Sequence, residues 1–306
     1  MEFGRIDCED LDKIDFTLPP DKKETTALLQ STQNSKSAIH VGCAKWGRKD
    51  WVGKIYPPKT KEADFLYHYA KHFDCIELNA TYYTVPTQKQ IAVWRSKVGD
   101  DFKFYPKFPK EITHTNQLKN IGAPTERFLT GISGFGKNLG PAFFICPPDM
   151  GPENFEILET FIQSFPKDLN FFVELRNQKW FSNPESFKKV FDMMQANNIG
   201  AAITDASGRR DCVHMRLTTR QAFIRFVGNG LHPTDYTRID DWVQRIKVWI
   251  NEGIEQVHFF MHQHEEIYSP ELARYVIQQL NKHCGTSIPE PKFIDKPPTL
   301  NLFGEV

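Results

Sequence analysis

The sequence predicts an eight-stranded parallel α/β barrel, a (β/α)8 TIM-type barrel, and three observations lead there. Eight short apolar runs alternate with stretches of helical period through most of a 306-residue chain, which is the element count of one such barrel at about 250 residues. Two of the runs, Cys75-Ile76-Glu77-Leu78-Asn79 and Asn170-Phe171-Phe172-Val173-Glu174-Leu175-Arg176, carry polar groups on one face at their carboxyl ends, because side chains alternate across a strand. Phenylalanine is abundant, 25 residues, and much of it falls inside the strand-like runs, where it favours a well-filled core.

Residues 1–38 have no strong period and read as an arm laid over the domain; the barrel is expected over 39–284 and a Pro-rich tail over 285–306. Strand one is predicted at 39–43, followed by a helix at 61–73. Strand two, 75–79, leads to a helix over 87–98 with Thr87 as its N-cap. Strand three, 102–107, sends Phe102 and Phe104 one way and Tyr105 and Lys107 the other. A helix over 125–139 precedes strand four at 142–146, and a helix over 154–165 precedes strand five at 170–176. Asn183-Pro184 caps a helix to 197, with proline at the first position, where its missing donor costs nothing. Strands six, seven and eight follow at 200–205, 222–227 and 256–261, with helices at 238–251 and 269–283. Residues 207–221 break the pattern. They have no helical period and hold Arg209, Arg210, His214, Arg216 and Arg220, so they read either as a solvated loop or as an anion-attracting lip.

Several local patterns resemble the YecE-like family, a TIM-barrel family labelled as a domain of unknown function. They are Trp51, Gly53, Tyr56 and Pro57; Glu77, Asn79, Thr81, Tyr82, Tyr83 and Pro86; Lys107 followed by Ile112-Thr113-His114; Leu139-Gly140-Pro141 with Pro147-Pro148; and Val173-Glu174-x-Arg176 with Trp180. The resemblance spans roughly 39–282 and implies a fold and a site more than an activity.

Composition narrows the function classes. Lys plus Arg equal Asp plus Glu at 38 each, so there is no global basic footprint of a dedicated nucleic-acid binder. No apolar segment approaches the roughly 18 residues of a membrane span. Six scattered cysteines without C-x-x-C or metal-ligand spacing suggest a reduced, cytoplasmic protein, with Cys43 a core residue. Gly131-x-x-Gly134-x-Gly136 falls in a helical stretch and is no phosphate loop.

Active sites of such barrels lie at the carboxyl ends of the strands. Those ends supply Trp46, Glu77, Asn79, Lys107, Glu174, Arg176, Asp205, Arg225, His262 and His264. Glu77, Glu174 and Asp205 are the candidate catalytic carboxylates, Glu77 foremost as an acid/base whose apolar strand end would raise its pKa. Arg176, Arg225 and Lys107 would hold a phosphate or carboxylate, and Asn79, Tyr82 and Trp46 would add hydrogen bonds and a stacking face. His262 and His264 are weak candidates for zinc or manganese. The resemblance weighs against that, since family members more often carry Asn-Asn-Asp-like residues where this chain has His262-Gln263-His264. Two function classes follow. One is a hydrolase or lyase on a phosphate-bearing substrate, nucleic-acid-derived ones included. The other is a non-catalytic protein that binds an anion or nucleic-acid component. The ending Thr299-Leu300-Asn301-Leu302-Phe303 is similar to the peptide with which many bacterial DNA enzymes bind the sliding clamp, with Thr299 where Gln is usual, so Leu300, Leu302 and Phe303 are candidate clamp contacts.

Overall fold

Alternation along each strand decides what fills the barrel. A computed structural model describes residues 2–30, 37–166 and 169–294. The strands are β1 (Ala38–Cys43), β2 (Cys75–Leu78), β3 (Lys103–Pro106), β4 (Ala142–Ile145), β5 (Phe171–Glu174), β6 (Gly200–Asp205), β7 (Gln221–Gly228) and β8 (Gln256–Gln263). They form one parallel sheet in the order β3-β2-β1-β8-β7-β6-β5-β4. Its two ends meet at a seam through the bridges Phe104–Leu139 and Lys107–Phe143. There the Phe108 amide donates to the Phe143 carbonyl and the Gly140 amide to that of Phe104, both at 2.8 Å. The chain is a nearly closed (β/α)8 barrel of the TIM type.

Tyr105, Phe143, Phe172, Phe223 and Phe260 point inward and pack as one interior cluster. The Phe223 ring centroid lies 5.2 Å from Phe143, 5.0 Å from Phe172 and 4.9 Å from Phe260. Each such ring contributes about 1.5–3 kcal/mol by leaving water. Gly42 faces the same interior: a Cβ there would stand 2.5 Å from the Cys75 carbonyl oxygen, so β1 can lie this close to β2 only as glycine. Ile76, Phe104, Phe144, Val173, Ile203 and Ile224 point outward into the larger core beneath the helices.

The helices are α1 (Lys23–Gln30), α2 (Phe65–Tyr69), α3 (Ala80–Tyr83), α4 (Gln88–Arg95), α5 (Gly122–Ser133), α6 (Phe155–Gln163), α7 (Lys179–Ser182), α8 (Pro184–Ala196), α9 (Pro233–Glu252) and α10 (Ser269–Cys284). Thr87 and Asn183 cap α4 and α8 as expected, accepting from the Gln90 amide and from those of Glu185 and Ser186. The helix expected over 61–73 shortens to α2 behind a 3-10 turn, Glu62–Asp64. The one expected over 125–139 ends at Ser133, and Gly136 takes φ +52° in the turn that follows. α9 starts earlier than expected, at Pro233, with His232 as its cap.

The basic stretch between β6 and β7 is neither a solvated loop nor an open lip. His214, Arg216, Leu217 and Thr218 are buried. Arg209 pairs with Asp211, Arg210 with Asp205, and Arg216 with Gln195 and Asp192. The segment takes the place of a helix, and its cations are consumed holding it there.

The arm is largely packed. Thr25 of α1 donates to the Met215 carbonyl at 3.1 Å and accepts from the Leu217 amide at 2.9 Å. Asp21 accepts from Arg245 at 2.7 Å and Trp249 at 3.1 Å, and Leu11 and Leu29 are buried. After α10 the chain crosses the barrel wall, where the Ile294 amide donates to the Lys54 carbonyl at 2.8 Å. The clamp-like Leu300, Leu302 and Phe303 lie outside the described residues. Among the described residues no helix is long and apolar enough to cross a membrane. All six cysteines are free thiols, and burial pushes that of Cys43 well above its ordinary value.

Candidate active site

At the carboxyl end of the barrel, β2, β5, β7 and β8 each deliver one polar side chain inward, because Glu77, Glu174, Arg225 and His262 share strand parity with the interior residues Cys75, Phe172, Phe223 and Phe260. Arg225 lies between the two carboxylates. Its Nε and Nη2 donate to Glu77 Oε2 and Oε1 at 2.9 and 3.0 Å, and Nη1 donates to Glu174 Oε2 at 2.5 Å. His262 Nε2 lies 2.9 Å from Glu77 Oε2, and Asn79 Nδ2 donates to Oε1 at 2.9 Å. Arg176, just beyond β5, donates through Nε to Glu174 Oε1 at 2.6 Å. Glu77, Glu174 and Arg225 are all at most 1 % exposed. Burying such charges is tolerable only because each is paired and hydrogen-bonded.

This geometry reverses one expectation. Burial works against a charged Glu77, but Arg225 and His262 outweigh it and hold the carboxyl well below its ordinary value. Burial likewise opposes a charged Glu174, yet Arg176 and Arg225 bring it down to about 2. Glu77 is therefore an ionised acceptor saturated by four hydrogen bonds, not an acid with a raised pKa. Arg225, expected to grip an anion, is spent on the two carboxylates.

Lys107 differs from all of these. It follows β3 at the seam, and Thr81 Oγ1 donates to its carbonyl at 2.7 Å while its amide donates to the Leu78 carbonyl at 3.2 Å. The first bond ties α3 to the end of β3 and sets the Tyr82 ring 4.1 Å from Lys107 Nζ. Among the described residues no hydrogen bond or ion pair engages the ammonium. Burial, then the charges of Arg225 and Arg176, outweigh the opposing pull of Glu77 and Glu174 and bring its pKa to about 8.

Two neighbours went unrecognised as site residues. His114 sits in a π-helical turn, Glu111–Thr115, with its ring 5.5 Å edge-on from Tyr82; burial and then Lys107 push its pKa down. Phe3 of the arm stacks on the Arg176 guanidinium, 4.0 Å from Cζ to the ring centre, and also contacts Arg209 at 4.9 Å. Gly4, at φ +69°, accepts from the Gly208 amide at 2.9 Å; a Cβ there would lie 2.7 Å from Ala206 Cβ. His114 carries a sequence signal, its place in the motif after Lys107, whereas Phe3 carries none.

Other expected residues are elsewhere. Asp205 has the parity of Ala201 and Ile203, which face the outer core. It points at α9, accepting from Arg238 and from Trp242 at 2.7 Å each. Burial opposes its charge, but Arg238 and Arg210 prevail and lower its pKa. Trp46 is half-buried and packs edge-to-face with Trp94 of α4, 5.6 Å between centroids. His258, four residues before His262 on β8 and not among those expected residues, lies deeper in the barrel, with Nδ1 2.8 Å from the Tyr105 hydroxyl. His262 Nε2 is committed to Glu77, and His264 follows the end of β8. Among the described residues no group of three or more His, Cys, Asp or Glu side chains could hold a metal ion. The amino end of the barrel has an open cleft of about 440 Å3 lined by residues including His40, Lys103, Asn170 and Gln256. Lys103 Nζ there donates to the Lys137 carbonyl at 2.6 Å, so the cleft lacks the convergent charge of the mouth.

The sequence profile of a family described as "Protein of unknown function DUF72" matches residues 40–293. The chain belongs to the DUF72 family. It is 26% identical over 262 residues to the UPF0759 protein YecE of Escherichia coli strain K12, covering 80% of this chain and 93% of that one. It is 29% identical over 167 residues to the UPF0759 protein YunF of Bacillus subtilis, covering 52% of this chain and 57% of that one. A crystal structure of a DUF72 protein from Enterococcus faecalis superposes with TM-score 0.61 at 20% identity, covering 82% of this chain and 99% of that one. One from Thermotoga maritima gives 0.59 at 22%, covering 81% and 100%. These DUF72 structures share the barrel fold. The arm before residue 40, Phe3 included, lies outside the matched profile.

Proposed function

We propose that the barrel mouth binds a phosphate-bearing small molecule, nucleotides included, and acts on it as a hydrolase or lyase. One observation carries the reading, and it is a balance of charge. Two carboxylates, Glu77 and Glu174, face two guanidinia, Arg225 and Arg176, in paired contacts. Lys107 is the surplus cation at the same level, and an anion is what it lacks. Arg176 bonds Glu174 through Nε; its planar fork suits a phosphate oxygen, and Lys107 adds a point charge. With a pKa of about 8, Lys107 is also a group that can give and take a proton near neutral pH. That moves the proton chemistry from Glu77 to Lys107.

A specific observation favours the alternative, a non-catalytic anion- or nucleic-acid-associated binding protein. Both carboxylates are held by fixed partners, Glu77 by four hydrogen bonds and Glu174 by one from each of two arginines, which suits a rigid receptor as well as an enzyme. In that reading a clamp contact through Leu300, Leu302 and Phe303 would serve recruitment.

The test is calorimetric binding of phosphomonoesters, sugar phosphates and nucleotides, followed by product analysis. Saturable, phosphate-dependent binding that weakens roughly ten- to a hundredfold in Arg176→Met is the expected result, the loss of one charge-assisted contact. Turnover by the wild type but not by Lys107→Met supports the enzyme; binding without product supports the alternative. Absence of any phosphate-dependent binding overturns both.

A further inference from the structure

We infer that Lys107 is an amine nucleophile that forms an imine with a phosphorylated aldehyde or ketone, making the mouth a carbonyl lyase site. This rests on the phosphate-binding reading above and names its substrate class. The geometry sets Lys107 apart from other lysines of the chain. The ammonium groups of Lys54, Lys97 and Lys103 donate to carbonyls or carboxylates, and that of Lys188 is paired with Asp192. Lys107 Nζ lies over the Tyr82 ring, as Lys22, Lys71 and Lys189 lie over theirs, but those three are exposed whereas Lys107 is half-buried beside the ion pairs of the barrel mouth.

Its backbone is fixed from three sides: by Leu78 of β2, by Thr81 of α3, and by the Phe143 bridge across the seam. An amine held on rigid elements keeps its reacting atom in place. The charged groups around it are Arg225, Arg176, Glu77 and Glu174, with the titratable rings of His114 and Tyr82 beside them. Because each carboxylate is already matched to an arginine, the surroundings raise the share of neutral, nucleophilic amine at neutral pH well above that of an exposed lysine.

The chemistry balances without an added oxidant or reductant. The amine lone pair attacks the carbonyl carbon, and the carbonyl oxygen takes up a proton. Nitrogen then gives up a proton as water departs, leaving a protonated imine. A carbon–carbon or carbon–hydrogen bond at the adjacent carbon can then break with its electron pair flowing into the imine nitrogen: the departing fragment leaves as a second carbonyl compound whose hydroxyl proton passes to a base, or the hydrogen leaves as a proton. The enamine carbon takes a proton back, and water then restores the carbonyl compound and the amine. A protonated imine is cationic in a site that already disfavours a lysine cation. The substrate's phosphate supplies the compensating charge, which ties the choice of nucleophile to the choice of substrate. His114 and Tyr82 are the neighbouring groups able to relay the proton.

Borohydride trapping tests this on the full-length protein. Dihydroxyacetone phosphate is added at neutral pH, sodium borohydride reduces any imine to a stable secondary amine, and the adduct is located by peptide mass mapping. The expected result is an adduct on Lys107, slowed by excess inorganic phosphate, and weaker by roughly tenfold or more with uncharged dihydroxyacetone. Lys107→Met should lose that adduct. Arg176→Met, which retains the amine, should lose the preference for the phosphorylated ketone. Labelling of Lys107 no faster than exposed Lys49 or Lys188 would overturn the imine. A parallel measurement asks whether inorganic phosphate shields Arg176 from phenylglyoxal. Shielding without an adduct overturns the imine alone; neither shielding nor adduct overturns the phosphate reading as well.

Discussion

Arg225 is the residue on which the mouth depends, because it neutralises Glu77 and Glu174 at once. Arg225→Met should cost about 3–5 kcal/mol, since it leaves buried carboxylates short of their partner; the denaturant midpoint at neutral pH reads this out. Arg176→Met should cost less, because Glu174 keeps Arg225. The pH dependence follows in sign. Glu77 and Glu174 have depressed folded-state values, so their contribution is present above the unfolded value of about 4.3 and is lost as pH falls through the folded values, toward about 2 for Glu174. A wild-type acid transition in that window, flattened in Glu77→Gln/Glu174→Gln, checks it. Lys107 works the other way. Its folded value of about 8 lies below the ordinary 10.5, so the folded state resists the proton and stability rises with pH between the two. Lys107→Met should therefore stabilise the protein at pH 7, on the order of 1–3 kcal/mol, seen as a raised denaturant midpoint; an unchanged or lowered midpoint would count against a strained amine. Most of these residues were legible in the sequence. Alternation placed Glu77 and Glu174 on one face of their strands and Arg225 was visible as a strand-end cation, whereas parity applied to Gly200–Asp205 turns Asp205 outward beside Ile203. Their protonation states were not legible, because the apolar environment that would raise Glu77 is overruled by Arg225 and His262 arriving from β7 and β8.

Short elements do the positioning. The four-residue α3 and the π-helical turn at Glu111–Thr115 hold Tyr82 and His114 around Lys107, and π-turns recur at functional sites because the extra residue re-aims a side chain. Neither has enough periods to be read from sequence. The long α9 was legible apart from its first turn and α2 was legible but over-extended, whereas the four-residue α3 and α7 were not. The arm divides into two parts. Residues 16–30 are anchored by Asp21 and Thr25, while Phe3 and Gly4 touch the mouth itself. Deleting residues 2–15 should leave the melting temperature within a few degrees, although Leu11 is buried, and should speed phenylglyoxal modification of Arg176 once Phe3 is gone. Deletion through residue 30 should cost several times more stability, since it strips Thr25 and Leu29 from the barrel wall. If the shorter deletion leaves Arg176 reactivity unchanged, Phe3 does not shield that guanidinium in solution. At the other end, removal from 295 onward should be tolerated, whereas removal from 286 also loses the Ile294–Lys54 contact.

For the whole molecule, a formal net charge of zero conceals local asymmetry. The barrel is filled by phenylalanine at mid-height and closes its interior with paired Glu77, Glu174, Arg225 and Arg176; beside them, among the described residues, no hydrogen bond or ion pair engages the Lys107 ammonium. The eight-fold alternation made the fold readable from sequence because every strand repeats one rule. The charge balance was not readable, since it arises only when β2, β3, β5, β7 and β8 converge on one level. The most direct measurement is the titration of the Lys107 amine, followed by competitive acylation and peptide mass mapping across neutral to alkaline pH. A midpoint near 8, moving toward the ordinary lysine value when inorganic phosphate is bound, is the predicted result. A midpoint near 10.5, unaffected by phosphate, would mean that Lys107 is an ordinary solvated lysine and would contradict the assignment of chemistry to the mouth.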